Sequence, residues 1–131
     1  MMSYLKAYLG AGFVFICLDA LWLSFMGPRL YKPLLQNLMA DTVRVTPALL
    51  FYVLYIGGIV MFAIMPAVAT QRLVNVALRG ACFGLIAYAT YDLTNQATLR
   101  GWPAIITISD LCWGMFATAL AALAGHVLAG R

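Results

Sequence analysis

The run from Pro47 to Ala69 contains no charged side chain. A helix rises about 1.5 Å per residue, so a run of this length crosses the roughly 30 Å hydrocarbon core of a bilayer. Thr46 and Pro47 also suit a helix start, because Thr caps helices and Pro is accepted at the first helical position. The run therefore predicts a membrane-spanning α-helix.

Three further runs of similar length carry few charges. Lys, Arg, Asp and Glu together make up only 9% of the 131 residues, and 65% of the residues are hydrophobic. A soluble domain contains far more charge. We therefore expect an all-α integral membrane protein, a single domain over residues 1–131, with four transmembrane helices in an up-down-up-down bundle. The expected spans are residues 3–26, 47–69, 73–97 and 104–128.

The links between these spans are short except for residues 29–46. Gly27 and Pro28 are expected to end the first span. No small-residue cleavage site follows that span, so we interpret it as a retained helix and not as a signal peptide. Apolar residues at helical spacing in the long link predict a short interfacial helix that starts near Pro33. An ordinary loop packed on the bundle fits the same residues equally well.

The net charge of +4 comes from eight Lys and Arg residues against four Asp residues. The basic residues stand singly near predicted helix ends, which indicates anchors at phospholipid headgroups and not nucleic-acid binding. Four are expected on the side of the termini (Lys6, Arg72, Arg79, Arg131) and four on the opposite side (Arg29, Lys32, Arg44, Arg100). This tie leaves the orientation open, and Asp41 in the long link favours cytoplasmic termini.

Small and polar residues follow one face of the third span and one face of the fourth. Gly80 and Gly84 form a G-x-x-x-G pattern, which lets a neighbouring helix approach closely, and we interpret it as packing inside the bundle. The same face continues through Tyr88, Tyr91, Asp92 and Asn95, and Thr107, Asp110, Gly114, Ala117 and Ala121 line one side of the fourth span. The three cysteines, Cys17, Cys82 and Cys112, lack a C-x-x-C spacing and are expected to be buried.

Three aspartates are expected to meet at one depth. Counting from the nearest span ends places Asp19, Asp92 and Asp110 about 8–11 Å below the same interface. A carboxylate at the bilayer centre costs roughly 2.5–3.5 kcal/mol on insertion scales, so it is expected to face protein or to serve a function. The candidate pocket comprises Asp19, Trp22, Tyr88, Tyr91, Asp92, Asn95, Asp110 and Trp113, and the expected interface anchors are Arg29, Arg100 and Trp102.

This acidic layer has two interpretations. As polar packing, each Asp would accept hydrogen bonds from Trp, Tyr, Asn or Thr on a neighbouring helix. As a working site, the layer could relay a proton, hold a cationic headgroup against aromatic faces, or supply acid and base groups for chemistry on a lipid. The sequence has no D-x-x-D or H-x-x-x-H spacing, no His pair for haem and no dinucleotide motif, so we expect neither a metal nor a cofactor.

Three stretches of the sequence are distinctive: Leu18-Asp-Ala-Leu-Trp22, Ala87-Tyr-Ala-Thr-Tyr-Asp-Leu-Thr-Asn95 with the following Ala97-Thr-Leu-Arg-Gly-Trp-Pro103, and Asp110-Leu-Cys-Trp-Gly114. On these stretches the chain resembles a family of small bacterial inner-membrane proteins catalogued as domain of unknown function 2177. The resemblance covers nearly the whole chain and implies a four-span inner-membrane protein without an established activity. The matching positions are Asp19, Trp22, Asp92, Asn95, Trp102, Pro103, Asp110 and Trp113.

These observations leave three hypotheses for function. The first is a pocket near one interface that binds or acts on a membrane lipid or another amphiphile, with the acids and aromatics at its headgroup. The second is a proton-coupled small transporter subunit that works as a homo-oligomer, since a four-helix bundle has little room for a water-filled path. The third is a structural accessory protein without a site. Membrane lipid is the expected partner, and enzymatic activity and catalytic residues stay unassigned.

Overall fold

The computed structural model describes residues 2–130, and its regular elements are all helical. In chain order they are α1 (Met2–Met26), a first π-helical segment (Gly27–Tyr31), α2 (Lys32–Leu35), α3 (Val45–Gly58), a second π-helical segment (Ile59–Ile64), α4 (Met65–Val68), α5 (Leu73–Thr98) and α6 (Ala104–Ala129). Four continuous helical stretches are long and apolar enough to cross a membrane: Ser3–Leu35, Val45–Val68, Leu73–Thr98 and Ala104–Ala129. The predicted all-α class with four span-length helices is confirmed.

Each π-helical segment ends two residues before a proline, Pro33 in the first case and Pro66 in the second. Proline lacks an N–H, and in a regular α-helix its ring collides with the carbonyl group four residues earlier. The wider π turn moves that carbonyl group aside. The backbone then closes hydrogen bonds over five residues, as from the Lys32 N–H to the Gly27 carbonyl oxygen. The prolines therefore modify these helices without ending them.

The first helix consequently does not end at Gly27 and Pro28, as the sequence suggested. Helical backbone continues through the first π-helical segment and α2 as far as Leu35. The separate interfacial helix near Pro33 is not confirmed, because α2 is a four-residue continuation of this helix. Residues 36–44 form turns and irregular backbone before α3 begins. The up-down order of the spans stays a prediction.

Left-handed backbone conformations reverse the chain at the other two links. Gln71, between α4 and α5, has a φ of 49°, and Gly101, between α5 and α6, has a φ of 76°. Glycine adopts this conformation without the clash that a Cβ atom would make. Both links are short, so α5 lies directly beside its neighbours in sequence.

Helix α6 forms the most extensive contacts in the bundle, above all with α5 and α1. A Cβ atom on Gly84 would lie 2.1 Å from the carbonyl oxygen of Gly114, and one on Gly80 would lie 2.9 Å from the Cα of Ala119. These distances show that the α5 and α6 backbones touch at the two glycines. The prediction that the G-x-x-x-G pattern packs inside the bundle is confirmed.

The outer surface of the bundle is apolar. Large hydrophobic side chains on all four long helices are more than half exposed, among them Phe13, Leu54, Val74 and Ile108. Hydrocarbon is the solvent that such a surface fits. The cysteines Cys17, Cys82 and Cys112 are also exposed, and the expectation that they are buried was wrong. They lie on these outer faces, where a weakly polar thiol needs no cover from protein.

Candidate functional site

Three aspartates from three helices are buried together. Asp19 of α1 is 8% exposed, Asp92 of α5 is 0% exposed and Asp110 of α6 is 7% exposed. Asp110 lies within electrostatic reach of both Asp19 and Asp92. The three aspartates therefore lie in one cluster, here called the acidic layer and defined by these three residues.

Asp110 is linked to two residues of the first helix. The Tyr31 hydroxyl donates a short hydrogen bond to Oδ1 of Asp110, and the indole N–H of Trp22 donates to the same hydroxyl over 2.9 Å. The Trp22 ring also stacks on Trp113 of α6, with ring centroids 4.4 Å apart and planes 10° from parallel. The first π-helical segment carries Tyr31 into this arrangement, which a helix ending at residue 26 could not have supplied.

Asp19 is linked to the second long helix. The Tyr52 hydroxyl of α3 donates a short hydrogen bond to Oδ2 of Asp19. The Trp113 indole lies near the same carboxyl group, but its buried N–H has no hydrogen bond of good geometry within residues 2–130. Tyr55 of α3 shares a 2.7 Å hydrogen bond with Thr118 of α6. Tyr52 therefore links α3 to the acidic layer, and Tyr55 links α3 to α6.

Asp92 differs from the other two acids. It is fully buried, and neither carboxyl oxygen has a hydrogen bond of good geometry in the part of the chain that the structure describes. The carboxyl group of Asp110 is close enough to interact with it, but is itself an acid. Buried polar groups in native proteins are almost always hydrogen-bonded, so an unpartnered buried carboxyl group requires an explanation.

The other predicted pocket residues fall into two groups. Tyr88 and Asn95 are half-buried, and the ring of Tyr88 covers Gly114 and lies within electrostatic reach of the acidic layer. Tyr91 is 59% exposed and packs edge-on against Trp102, at a centroid distance of 5.9 Å. Both tyrosines therefore lie within electrostatic reach of the acids, but Tyr88 is half-buried in the bundle whereas Tyr91 is largely exposed.

The predicted interface anchors do not reach the acids. Arg29 donates a hydrogen bond to the carbonyl oxygen of Phe25 over 3.0 Å, and its guanidinium lies 3.8 Å from the centre of the Phe25 ring. Arg100 is exposed, and the Trp102 indole donates to the Thr107 hydroxyl over 3.1 Å. The groups found at the three aspartates are tyrosine hydroxyls, an indole and other carboxyl groups. The layer is therefore acidic without a neighbouring base among residues 2–130.

Sequence reasoning missed Tyr31 and Tyr52, the two residues that donate to the acids. Tyr52 was visible as one of the few polar side chains in an otherwise apolar span. Tyr31 was hidden because the first helix was expected to end before it. A tyrosine within a predicted span can indicate a buried polar site, because its hydroxyl needs a hydrogen-bond partner when buried.

The chemistry available to the layer is that of oxygen acceptors surrounded by aromatic rings. Within residues 2–130, no group of three His, Cys, Asp or Glu side chains is placed to hold a metal ion. No nucleophile stands beside the acids in the contacts described above. The arrangement can accept protons or hydrogen bonds, and its stacked indoles can face a cation.

No curated protein and no solved structure matches this chain. A family model described as "Predicted membrane protein (DUF2177)" matches residues 4–127. The match includes the three buried aspartates and all four span-length helices almost to their ends. The chain belongs to this family of predicted membrane proteins.

Proposed function

We propose that this membrane protein binds an amphiphile whose headgroup carries a protonated amine, and that the acidic layer receives that headgroup. The observation that carries the proposal is the fully buried Asp92, whose two carboxyl oxygens lack hydrogen bonds in the described chain. A headgroup with several N–H donors would satisfy these oxygens. A positive charge would also balance three carboxyl groups that have no Lys or Arg beside them.

The free-energy cost of leaving the Asp92 oxygens without hydrogen bonds favours a donor from outside the protein. Leaving a buried acceptor without a partner costs about 1–3 kcal/mol, and more for a charged group. An ammonium bound to Asp92 and Asp110 would recover this energy through charge-assisted hydrogen bonds. The parallel rings of Trp22 and Trp113 supply an aromatic face, which attracts cations by about 0.5–2 kcal/mol.

The position of the layer favours an amphiphile over a water-soluble amine. The three aspartates lie in helices whose outer faces are apolar, so a ligand with an alkyl tail could remain in the lipid while its headgroup enters. One side of the layer is formed by three half-buried residues, Trp22, Tyr31 and Trp113. Entry there requires Tyr31 to release Asp110. The first π-helical segment suits such a movement, because π turns are frequent at functional sites.

A binding titration in nanodiscs tests this proposal. Dodecylamine is titrated against the protein carrying Trp102→Phe, so that the fluorescence signal comes from Trp22 and Trp113 alone. Dodecanoate serves as the anionic amphiphile of equal chain length. We expect dodecylamine to bind and dodecanoate to leave the signal unchanged. Asp92→Asn should weaken dodecylamine binding about tenfold or more, equivalent to roughly 1.4 kcal/mol or more.

The fourth aspartate supplies a matched control. Asp41 is exposed in the irregular link, so Asp41→Asn removes the same charge from the chain without touching the acidic layer. It should bind dodecylamine like the unmodified protein. Equal binding by both variants, with normal melting temperatures, would contradict the amine site.

Proton exchange is a second candidate function, favoured by the contact between Asp92 and Asp110. Two neighbouring carboxyl groups can hold one proton between them and release it when a cation arrives. This is the chemistry of a proton-coupled transporter subunit, which would work as an oligomer. The uncharged form of dodecylamine crosses bilayers by itself, so the internal pH also changes in empty liposomes. A transporter should make the internal pH of proteoliposomes, followed with an internal dye, change faster than in empty liposomes, whereas a binding protein would leave the rate at that of empty liposomes.

The proposed location is the bacterial inner membrane, with both termini in the cytoplasm. The apolar surface of the four span-length helices supports insertion in a membrane. The choice of membrane and the orientation come from the family resemblance and from the position of Asp41.

A further inference from the structure

A cleft of about 320 Å³ lies far from the acidic layer along the helices, between α4 and the start of α5. It is lined by Pro66, Ala67, Thr70, Asn75, Leu78, Arg79 and Cys82. Pro66 and Ala67 belong to α4, and Thr70 lies in the turn that follows it. The cleft is open to the outside of the bundle, where lipid would lie.

Polar and apolar side chains both line this cleft. Asn75 and Arg79 are four residues apart on α5 and therefore share a helix face. Thr70 donates its hydroxyl proton to the Ala67 carbonyl oxygen and accepts a long hydrogen bond of 3.5 Å from the Asn75 amide. The Asn75 amide is thereby held at the rim beside Arg79. Leu78 and Cys82 lie on the same face of α5, three residues after Asn75 and Arg79 respectively, and both are exposed.

Basic side chains gather at this end of the bundle, and within residues 2–130 no Asp side chain lies there to balance their charge. Ala7 of α1 and Gly125 of α6 pack together here, so Lys6 lies at the same end as Arg72 and Arg79. All four acidic residues of the chain lie elsewhere, three in the acidic layer and Asp41 in the link before α3. An anion is the ligand that complements this end.

We propose that this cleft binds the phosphate of an anionic phospholipid, with Arg79 and Asn75 as donors and Leu78 and Cys82 against the beginning of an acyl chain. The guanidinium of Arg79 offers two parallel N–H groups to phosphate oxygens. Basic pockets between transmembrane helices bind anionic lipid headgroups in this manner. The site is separate from the acidic layer. Its ligand is an anion, whereas the ligand proposed for the acidic layer is a cation.

Native mass spectrometry of the protein released from nanodiscs tests the assignment. The nanodiscs contain equal amounts of phosphatidylglycerol and phosphatidylcholine of matched acyl chains. We expect phosphatidylglycerol to remain bound preferentially. Arg79→Gln should lower the amount retained about tenfold, the ratio that corresponds to losing roughly 1.4 kcal/mol. Arg79→Lys keeps the charge and should retain an intermediate amount.

Arg100→Gln is the matched control, because it removes one exposed arginine from the link at the opposite end of α5. It should retain phosphatidylglycerol like the unmodified protein. Equal loss in both variants would show a nonspecific effect of net charge and overturn the site. Unchanged retention in a folded Arg79→Gln variant would also overturn it, as would displacement of the lipid by inorganic phosphate at millimolar concentration.

Discussion

Two tyrosines each place a phenolic hydroxyl against a buried carboxyl group. Tyr31 and Tyr52 come from different helices, and each donates to a different aspartate. A neutral donor stabilises an acid at bilayer depth without adding a second buried charge, which would carry its own desolvation cost. Asp92 alone lacks such a donor, and this asymmetry singles it out as the residue that a ligand would contact.

The Tyr52→Phe variant tests the value of this neutral donor. The change removes one oxygen atom and leaves Oδ2 of Asp19 without its partner, so the free energy of unfolding should fall by about 1–3 kcal/mol. Unfolding in mixed micelles of dodecyl maltoside and dodecyl sulfate measures the change. Tyr4→Phe removes the same atom from a side chain that is 56% exposed and should have no measurable effect. Equal stability of the two variants would show that the Tyr52 hydroxyl contributes nothing.

The positions of the three aspartates could be predicted from the sequence, but their partners could not. Counting residues from the span ends gives depth, because every residue of a helix advances by the same rise. The direction of each side chain also depends on how a helix is rotated about its axis. That rotation leaves Tyr88 half-buried and Tyr91 largely exposed, although both residues follow the same predicted stripe.

Helices α5 and α6 are held together by contact between their backbones. Gly84 and Gly114 face each other without side chains, and the ring of Tyr88 covers the second glycine. This close approach places Asp92 and Asp110 next to each other one or two turns away. The geometry of the acidic layer therefore depends on glycines that have no chemistry of their own.

Gly84→Ala tests this dependence. A Cβ atom at Gly84 would lie 2.1 Å from a backbone oxygen that cannot move aside. Overpacking should destabilise the protein by about 1–3 kcal/mol or more and separate the two helices. The thermal melting temperature in nanodiscs measures the effect. Gly57→Ala provides the control, because a Cβ atom there meets nothing within 4 Å, and it should keep or slightly raise the melting temperature. A Gly84→Ala protein that melts with the control would contradict the backbone contact.

The four span-length helices were predictable as elements, whereas the π-helical segments were not. Hydrophobic length and charge determine where a helix can cross a bilayer. Pro28 reads locally as a helix terminator and Pro33 as the start of a new helix, yet the backbone continues through both by a wider turn. Tertiary contacts decide whether a helix ends or continues at such a proline. Here the hydrogen bond from Tyr31 to Asp110 stabilises the continued helix.

At the scale of the whole molecule, polarity is distributed along the bundle axis. The acidic layer lies towards one end, and Lys6, Arg72 and Arg79 lie towards the other. The apolar outer surface separates the two. An up-down order of the spans, which stays a prediction, would give this distribution. The sequence leaves the sidedness open because the basic residues divide equally between the two predicted sides.

Labelling of single cysteines in intact cells resolves the order and the sidedness together. The three native cysteines are replaced by alanine, and Val43→Cys or Gln71→Cys is introduced into the irregular links. With cytoplasmic termini, a membrane-impermeant maleimide should label Val43→Cys from outside and Gln71→Cys only after permeabilisation. The reverse result would invert the orientation. Labelling of both positions from the same side would overturn the up-down order.

The hydrogen bonds of the acidic layer also bear on how the chain enters the membrane during synthesis. Asp19 lies in the first span-length helix and its donor Tyr52 lies in the second, whereas Tyr31 of the first helix donates to Asp110 of the last. The first helix therefore has both of these partners only after the later helices have entered the membrane. Asp92 and Asp110 lie on helices joined by a short link, so these helices can enter as a pair. The hydrogen bonds of the buried acids are thus complete only when the final helix of this small protein is in place.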